Sequence, residues 1–237
     1  MGDVNDTLIS HLSELRKRLT RSLIYVFIGF LVSWYFSELI FDFIRAPIIP
    51  YLDTGGLVFT APMDKFTAHI KVCIVSSIIF TCPFWLHQVW LFIAPGLYDK
   101  ERKYGLGFIA SGSVLFLTGV SFVYYVVYPM AFKFLMLFGG DTDKPMITIS
   151  AYLSFFTTTT LVFGFAFEMP LILTILSIMG LVNSEFLIKY RRYAIVILAA
   201  LSAMFTPPDV VSMFLMMGPM ILLYEISIGM VKIFGRK

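Results

Sequence analysis

The segment Gln88-Val-Trp-Leu-Phe-Ile-Ala-Pro-Gly-Leu-Tyr-Asp-Lys-Glu-Arg-Lys103 is where a long apolar run stops and charged residues begin. Pro95 removes a backbone donor and fixes φ, and Gly96 tolerates the conformations that end helices, so a turn is predicted here. The turn separates an apolar helix from a polar loop. Such a boundary is expected where a chain passes from lipid into water.

Glu101 lies in that loop among Lys100, Arg102 and Lys103. A loop that needed only positive charge would not need an acid, which makes Glu101 a candidate for binding a cationic group. The alternative is a solvated charge that balances its basic neighbours. This stretch by itself leaves both explanations open.

The composition excludes a soluble globular protein. Of the 237 residues, 59% are hydrophobic and only 14% are charged, which predicts an all-α protein that crosses a membrane several times. The net charge of +3 is small and indicates neither nucleic acid nor an acidic partner. Cys73 and Cys82 form no CxxC motif and are interpreted as ordinary buried thiols.

The whole chain, 1–237, is predicted to be one membrane domain with six spans. Residues 1–21 place leucines at helical spacing and predict an amphipathic helix on the membrane surface. The predicted spans are 22–43, 66–92, 104–138, 150–180, 193–205 and 210–231. Pro83 predicts a kink in the second span, and Pro129 interrupts the third.

The last two spans form a hairpin that is predicted to be short. Residues 193–205 reach about 20 Å as a helix, whereas the hydrocarbon core of a bilayer is about 30 Å thick. The breaker Thr206-Pro-Pro-Asp209 separates them from the sixth span. The hairpin is therefore expected either to thin the bilayer or to be shielded by other helices.

The distribution of Lys and Arg predicts the orientation. With the N-terminus in the cytoplasm, most of the 18 basic residues fall on the cytoplasmic side. They are Arg16, Lys17, Arg18, Arg21, Lys100, Arg102, Lys103, Lys189, Arg191, Arg192, Lys232, Arg236 and Lys237. The positive-inside rule then places both termini in the cytoplasm, as an even number of spans requires.

Glu168 is an ionisable residue far from the ends of its predicted span, and no basic residue lies within one helical turn of it. A charged residue at such a depth costs roughly 2.5 to 3.5 kcal/mol on insertion scales. Glu168 is therefore expected to face a polar cavity or to be protonated, and a functional role is favoured over a structural one.

Motifs for catalysis and nucleotide binding are missing. His11, His69 and His87 show no metal-ligand spacing, and there is no phosphate-binding loop or nucleophile elbow. The sequence therefore predicts no enzyme, no metal and no cofactor, and any work must draw its energy from elsewhere. The alternative function is an ion-coupled transporter or channel in which Glu168 binds a proton, although mostly apolar residues and Thr surround it. An intramembrane enzyme lacks a nucleophile and base at suitable spacing.

Several short motifs occur together in one order along nearly the whole chain. They are His11-Leu-Ser-Glu-Leu-Arg-Lys-Arg18, Ala46-Pro47, Gln88 to Pro95 with Leu97-Tyr98 and Glu101-Arg102, Ser150-Ala-Tyr-Leu-Ser154, Phe163 to Pro170, and Thr206-Pro-Pro-Asp209. Each motif is weak alone. Together they resemble TatC, the multispanning receptor family of the twin-arginine translocase.

The resemblance implies a receptor for the signal peptides of folded proteins in the inner membrane of a prokaryote. It implies that Glu14 and Glu101 recognise the two arginines of the peptide, with Phe92 beside them, and that Glu168 is the family's intramembrane polar position. The fifth-span hairpin corresponds to a partner-binding edge with contacts at Met204 and Thr206. Pro47, Pro95, Pro207, Pro208 and Asp209 match family loop positions. The implied partners are TatA- and TatB-type single-span subunits and further copies of this chain, and the implied energy source is the proton-motive force.

The chemistry of the residues agrees with this resemblance and adds a limit. Glu14 and Arg18 are four residues apart, so an internal ion pair is the alternative role for Glu14. Carboxylates suit the arginine fork, yet exposed pairs give only roughly 0.2 to 1 kcal/mol each, and micromolar binding needs about 8. Most of the affinity must come from an apolar segment of the peptide. This predicts a concave, lipid-facing groove bordered by the second and fourth spans, with Glu168 on its wall.

Overall fold

A computed structural model describes residues 2–52, 56–97, 103, 105–137, 146–206 and 210–235. Within these ranges the chain is helical, and its one extended contact is a parallel bridge between Val58 and Thr148. The helices are α1 Gly2–Tyr35, α2 Ser37–Arg45, α3 Asp64–Phe80, α4 Cys82–Ile93, α5 Gly105–Phe122, α6 Tyr128–Leu137, α7 Ile149–Phe167, α8 Met169–Ile178, α9 Ser184–Lys189, α10 Arg191–Phe205 and α11 Val210–Phe234.

The first helix differs from the prediction of a surface helix followed by a separate span. α1 is continuous from Gly2 to Tyr35, because no Pro or Gly lies between residues 3 and 28 to break it. It ends before the predicted boundary at Phe43, and α2 turns away from it by 83°. The bend buries Phe41 and Ile44 of α2 in the core, where the ring of Phe41 stacks on His69.

The second predicted span is bent, as Pro83 predicted. α3 ends at Phe80, and α4 begins at Cys82 with Pro83 in its first turn, at an angle of 59° to α3. Proline fits a first helical turn, where the missing N–H has no acceptor to lose. Asp64 begins α3, and its carboxylate accepts hydrogen bonds from the backbone N–H groups of Ala61 and Thr60. These bonds hold the pKa of Asp64 below its usual range.

The third and fourth spans are long and carry local irregularities near their prolines. A π-helical turn, Val123–Val127, joins α5 to α6, and Pro129 removes the hydrogen bond to the carbonyl of Tyr125 within it. α7 and α8 meet at Glu168, and Pro170 lies in the first turn of α8. The break therefore comes from the same proline chemistry as the bend before α4.

The prediction that the sixth span is short is wrong. α11 has 25 residues, about 37 Å of helix, and Pro219 lies inside it without ending it. α10 has 15 residues, about 22 Å, and so remains shorter than a hydrocarbon core. By length and composition, three helices in the described part of the chain are able to cross a membrane, or five if each bent pair is one span.

The packing places both ends of the described chain at one end of the bundle, here called the terminal end. α1 runs antiparallel to α3 and α4, since Trp34 contacts Phe66 and Tyr25 contacts Phe84. A Cβ at Gly235 would contact Ser177 of α8, which places the end of α11 beside the end of α8. The N-terminal half of α1 therefore lies alongside the second half of α4.

α10 is fixed at the terminal end by an ion pair with α11. Arg191 donates from Nε and Nη2 to the two carboxylate oxygens of Glu225, both at 2.8 Å. We expect Glu225→Gln to lower the free energy of unfolding by about 0.2 to 1 kcal/mol, since both side chains are nearly half exposed. Thermal unfolding in detergent measures this as a fall in Tm of up to about 4 °C.

The matched control is Glu185→Gln, which removes an exposed acid from the nearby helix α9. A double-mutant cycle with Arg191→Gln isolates the pair. A coupling energy of zero would show that the pair contributes nothing to the attachment of α10.

Candidate functional site

A cavity of about 410 Å³ lies between α4 on one side and α7 and α8 on the other. Its lining is apolar except for one carboxylate and consists of Trp85, Leu86, Val89, Phe92, Ile93, Gly96, Phe108, Phe165, Glu168, Ile172, Ile175, Leu176 and Met179. The hollow predicted between the second and fourth spans, with Glu168 on its wall, is therefore confirmed. It is called the first cavity below.

Glu168 occupies the break between α7 and α8. The residue is 4% exposed, and its Oε1 has no hydrogen-bond partner among the described residues. Gly112 on α5 provides space for the carboxylate, because a Cβ there would lie 3.3 Å from Oε2. Burial of an unsatisfied polar atom is costly, so Glu168 is a hydrogen-bonding group available to a molecule in the cavity.

Phe92 lies in the last turn of α4 and lines the same cavity as Glu168. These two residues come from distant parts of the sequence, and the antiparallel packing of α4 against α7 and α8 brings them to one surface. Phe92 is at the terminal end, where Gly96 approaches Met179. The cavity therefore extends from the terminal end of the bundle towards its middle.

Glu14 lies on α1, whose N-terminal half runs beside α4. Its carboxylate is engaged, because Arg18 Nη2 donates to Glu14 Oε1 at 3.2 Å. The internal ion pair that the spacing indicated is thus formed. Any guanidinium that binds Glu14 from outside must share the carboxylate with Arg18 or displace it.

Glu101, Pro207, Pro208 and Asp209 lie outside the described residues. Pro95 is exposed in the short 3₁₀ turn Ala94–Gly96, which ends α4 as the sequence predicted. Pro47 is partly buried in the turn after α2.

The two residues predicted to contact a partner helix lie at the far end of α10. Met204 is 74% exposed, so its side chain is available to another molecule. Thr206 donates its hydroxyl hydrogen to the carbonyl of Ser202 at 2.8 Å. The hydroxyl oxygen of Thr206 can still accept a hydrogen bond, which limits the predicted interaction to donors on the partner.

The sequence did not predict two aromatic residues that line the first cavity, nor a buried amide on α4. Trp85 and Phe165 line the first cavity, yet each looks like an ordinary apolar residue of a span. The indole N–H of Trp85, two residues after Pro83, was the available indication, because it needs a partner. Gln88 is buried with Oε1 unsatisfied among the described residues, and it is the first residue of the segment in which the second predicted span ends.

The described ranges contain no group of three His, Cys, Asp or Glu side chains arranged to hold a metal ion. Cys73 and Cys82 are buried free thiols, as predicted. The polar chemistry of the first cavity is therefore that of Glu168.

Comparisons of the sequence and of the structure with known proteins indicate the same family. The family model described as Sec-independent protein translocase protein (TatC) matches residues 10–219. The TatC protein of Desulforapulum autotrophicum is 41% identical over 96% of this chain and 84% of its own length. The Escherichia coli TatC protein is 39% identical over 95% of this chain and 88% of its own length.

A crystal structure of the twin-arginine translocase receptor TatC superimposes with a TM-score of 0.86. Its sequence is 35% identical, and the match covers 95% of this chain and all of that chain. The resemblance found in the motifs is thus confirmed by whole-chain identity and by the fold. The chain belongs to the TatC family of Sec-independent protein translocase proteins.

Proposed function

We propose that this chain is the receptor subunit of a twin-arginine translocase and binds the signal peptides of folded proteins. The observation that carries the proposal is the first cavity, an apolar hollow with Phe92 at the terminal end and the unsatisfied Glu168 deeper inside. An apolar peptide segment fits such a hollow, and no step in binding it requires a bond to be made. The chain therefore acts in transport without being an enzyme.

The receptor spans the inner membrane of a prokaryote six times with both termini in the cytoplasm. Two long irregular spans, two bent spans, the long α11 and the short α10 supply the six. The excess of Lys and Arg at the terminal end supports this orientation. The first cavity then opens towards the cytoplasmic face and faces lipid along its length.

Glu14 and Glu101 select peptides with two arginines over peptides with two lysines. Each carboxylate accepts two parallel hydrogen bonds from a guanidinium group, and lysine lacks that geometry. The exposed contacts contribute little free energy, about 0.2 to 1 kcal/mol each. The first cavity supplies most of the affinity by removing the apolar segment of the peptide from water and lipid headgroups. Specificity and affinity thus come from different parts of the site.

The short α10 is the edge at which single-span partners of the TatA and TatB type dock. A helix of 15 residues leaves a mismatch with the bilayer that a short partner helix shares. Met204 offers an exposed apolar contact, and Thr206 accepts a hydrogen bond from the partner. Copies of this chain assemble with these partners, and the proton-motive force drives export.

The decisive experiment compares a twin-arginine peptide with its twin-lysine version in binding to the full chain in detergent or nanodiscs. Preference for arginine, together with crosslinks from positions 101 and 168 to the peptide, supports the receptor. Equal binding of the two peptides contradicts it. Proton-coupled solute flux through the isolated chain would favour an ion-coupled transporter that uses Glu168.

Arg18→Gln tests the competition for Glu14. We expect the twin-arginine peptide to bind up to about fivefold more tightly, because the partly buried internal pair is worth about 0.2 to 1 kcal/mol and no longer has to be broken. Titration of labelled peptide gives the Kd. Arg21→Gln is the matched control, since it removes the same charge from an exposed position of α1. Weaker binding by Arg18→Gln than by the control would show that Arg18 helps to form the site.

A further inference from the structure

The first cavity ends at three aromatic side chains from three helices, here called the aromatic partition: Trp85 of α4, Phe116 of α5 and Phe165 of α7. Their ring centroids are 5.5 Å apart for Trp85 and Phe116, 5.8 Å for Trp85 and Phe165, and 5.5 Å for Phe116 and Phe165. Each ring thus contacts both of the others. Trp85 and Phe165 also line the first cavity.

A second cavity of about 330 Å³ lies on the other side of the partition, towards α2. Ile79 of α3 and Val120 of α5 line it. The same two residues pack in one apolar cluster with Trp85 and the fully buried Phe116. This apolar cluster therefore connects the lining of the first cavity, through Trp85, to the lining of the second, through Ile79 and Val120.

The partition is held in place by the backbone. The indole N–H of Trp85 donates to the carbonyl of Ile78 at 3.0 Å. Ile78 belongs to the last turn of α3, where carbonyls lack donors from their own helix. Phe116 is wedged against α7, because a Cβ at Gly164 would lie 2.8 Å from its ring. Trp85 and Phe116 are therefore fixed in position, whereas Phe165 is half exposed.

We propose that the aromatic partition sets the depth to which the apolar segment of a bound signal peptide enters the receptor. This inference rests on the proposed function. Along α7 and α8, Phe165 and Met179 mark the two ends of the first cavity and are 14 residues apart, about 21 Å. A helical apolar segment of about 14 residues matches that length, and the side chains on one of its faces enter the cavity, because about 410 Å³ is less than the volume of a whole helix of that length. The partition stops a longer segment, whose excess stays at the terminal end.

The experiment places a photoreactive residue at Ile172 in the first cavity or at Val120 in the second, in the full chain in nanodiscs. The probe is a twin-arginine peptide with an apolar segment of 14 or 20 residues. In the parent receptor we expect crosslinks from position 172 with both peptides and none above background from position 120. Phe165→Ala and Trp85→Ala open the partition. We expect the yield from position 120 to rise at least fivefold with the longer peptide only.

Phe84→Ala is the matched control, because Phe84 is an exposed aromatic residue of α4 that contacts Tyr25 and lines neither cavity. Phe165 is half exposed, so its replacement disturbs folding less than that of Trp85. Trp85→Phe keeps a ring but loses the hydrogen bond to Ile78 and is expected to give an intermediate yield.

Crosslinks from position 120 in the parent receptor would overturn the inference. So would a background yield in Phe165→Ala, provided that this variant still prefers arginine over lysine peptides. If the parent shows no arginine preference and no crosslink from position 172, the proposed function fails with it. If the parent shows both the arginine preference and the crosslink from position 172, but Phe165→Ala and Trp85→Ala give no added crosslinks from position 120, the proposed function stands and the depth-setting role is rejected.

Discussion

Glu101→Ala is expected to lose most of the preference for the twin-arginine over the twin-lysine version of one peptide. The parent prefers arginine because a carboxylate matches the two parallel N–H donors of a guanidinium, and the variant has no such acceptor at this position. The ratio of the two Kd values therefore falls towards 1, the remaining preference being due to Glu14, and crosslinking of the arginine pair from position 101 is lost. Membrane insertion is retained, since the residue lies in a polar loop.

Glu14→Gln is expected to reduce the same ratio, with a smaller loss of affinity because Arg18 already shares the Glu14 carboxylate. Titration of both peptides against each variant gives the ratio directly. Glu185→Ala serves as a control, because it removes an acid that is exposed on α9, a helix that packs against α10 and α11. An unchanged arginine preference in both variants would exclude these acids from the recognition site.

Gly119→Ala is expected to destabilise the receptor strongly. Gly119 is buried where α5 crosses α7, and a Cβ there would lie 2.7 Å from the carbonyl oxygen of Phe163 and 2.9 Å from the ring of Phe167. The carbonyl belongs to the backbone of α7 and cannot rotate away. Overpacking of this kind costs about 1 to 3 kcal/mol, which corresponds to a fall in Tm of about 2 to 12 °C.

The matched control on the same helix is Gly107→Ala. Gly107 is exposed, and a Cβ there would have nothing within 4 Å. Because alanine favours helix more than glycine does, this variant is expected to be more stable by about 0.5 to 1 kcal/mol. Thermal unfolding of both variants in the same detergent checks that Tm falls in Gly119→Ala and rises in Gly107→Ala. Equal changes in Tm for the two variants would show that α5 and α7 pack less closely than the structure indicates.

A functional consequence follows for Gly119→Ala. α5 and α7 carry Phe108 and Phe165, which line the first cavity, so separating the helices changes its shape. We expect weaker peptide binding with an unchanged arginine preference, because Glu14 lies on α1 and not on α5 or α7. Loss of both affinity and preference, in a variant that remains folded, would contradict the separation of specificity from affinity.

Predictions from the sequence succeeded where local chemistry decides the outcome. Pro83 predicted the bend before α4, because a missing N–H and a fixed φ act within one helical turn. The hollow beside Glu168 was predicted because exposed ion pairs supply too little free energy, so an apolar segment of the peptide needs a surface to bind. The prediction of a short sixth span failed because the shortness of residues 193–205 was extended to the whole hairpin, whereas residues 210–231 already give about 33 Å of helix and α11 ends at Phe234.

The apolar composition and the order of the motifs by themselves determined that this chain is a helical membrane protein of the TatC family. Composition and motif order can be seen in the sequence itself. In lipid, the backbone N–H and C=O groups of an apolar run form their hydrogen bonds within a helix. The tertiary structure decided which side chains meet. Phe92 and Glu168 share a cavity, and Trp85, Phe116 and Phe165 contact one another beside it, because antiparallel helices pack residues that lie far apart in the chain against one another.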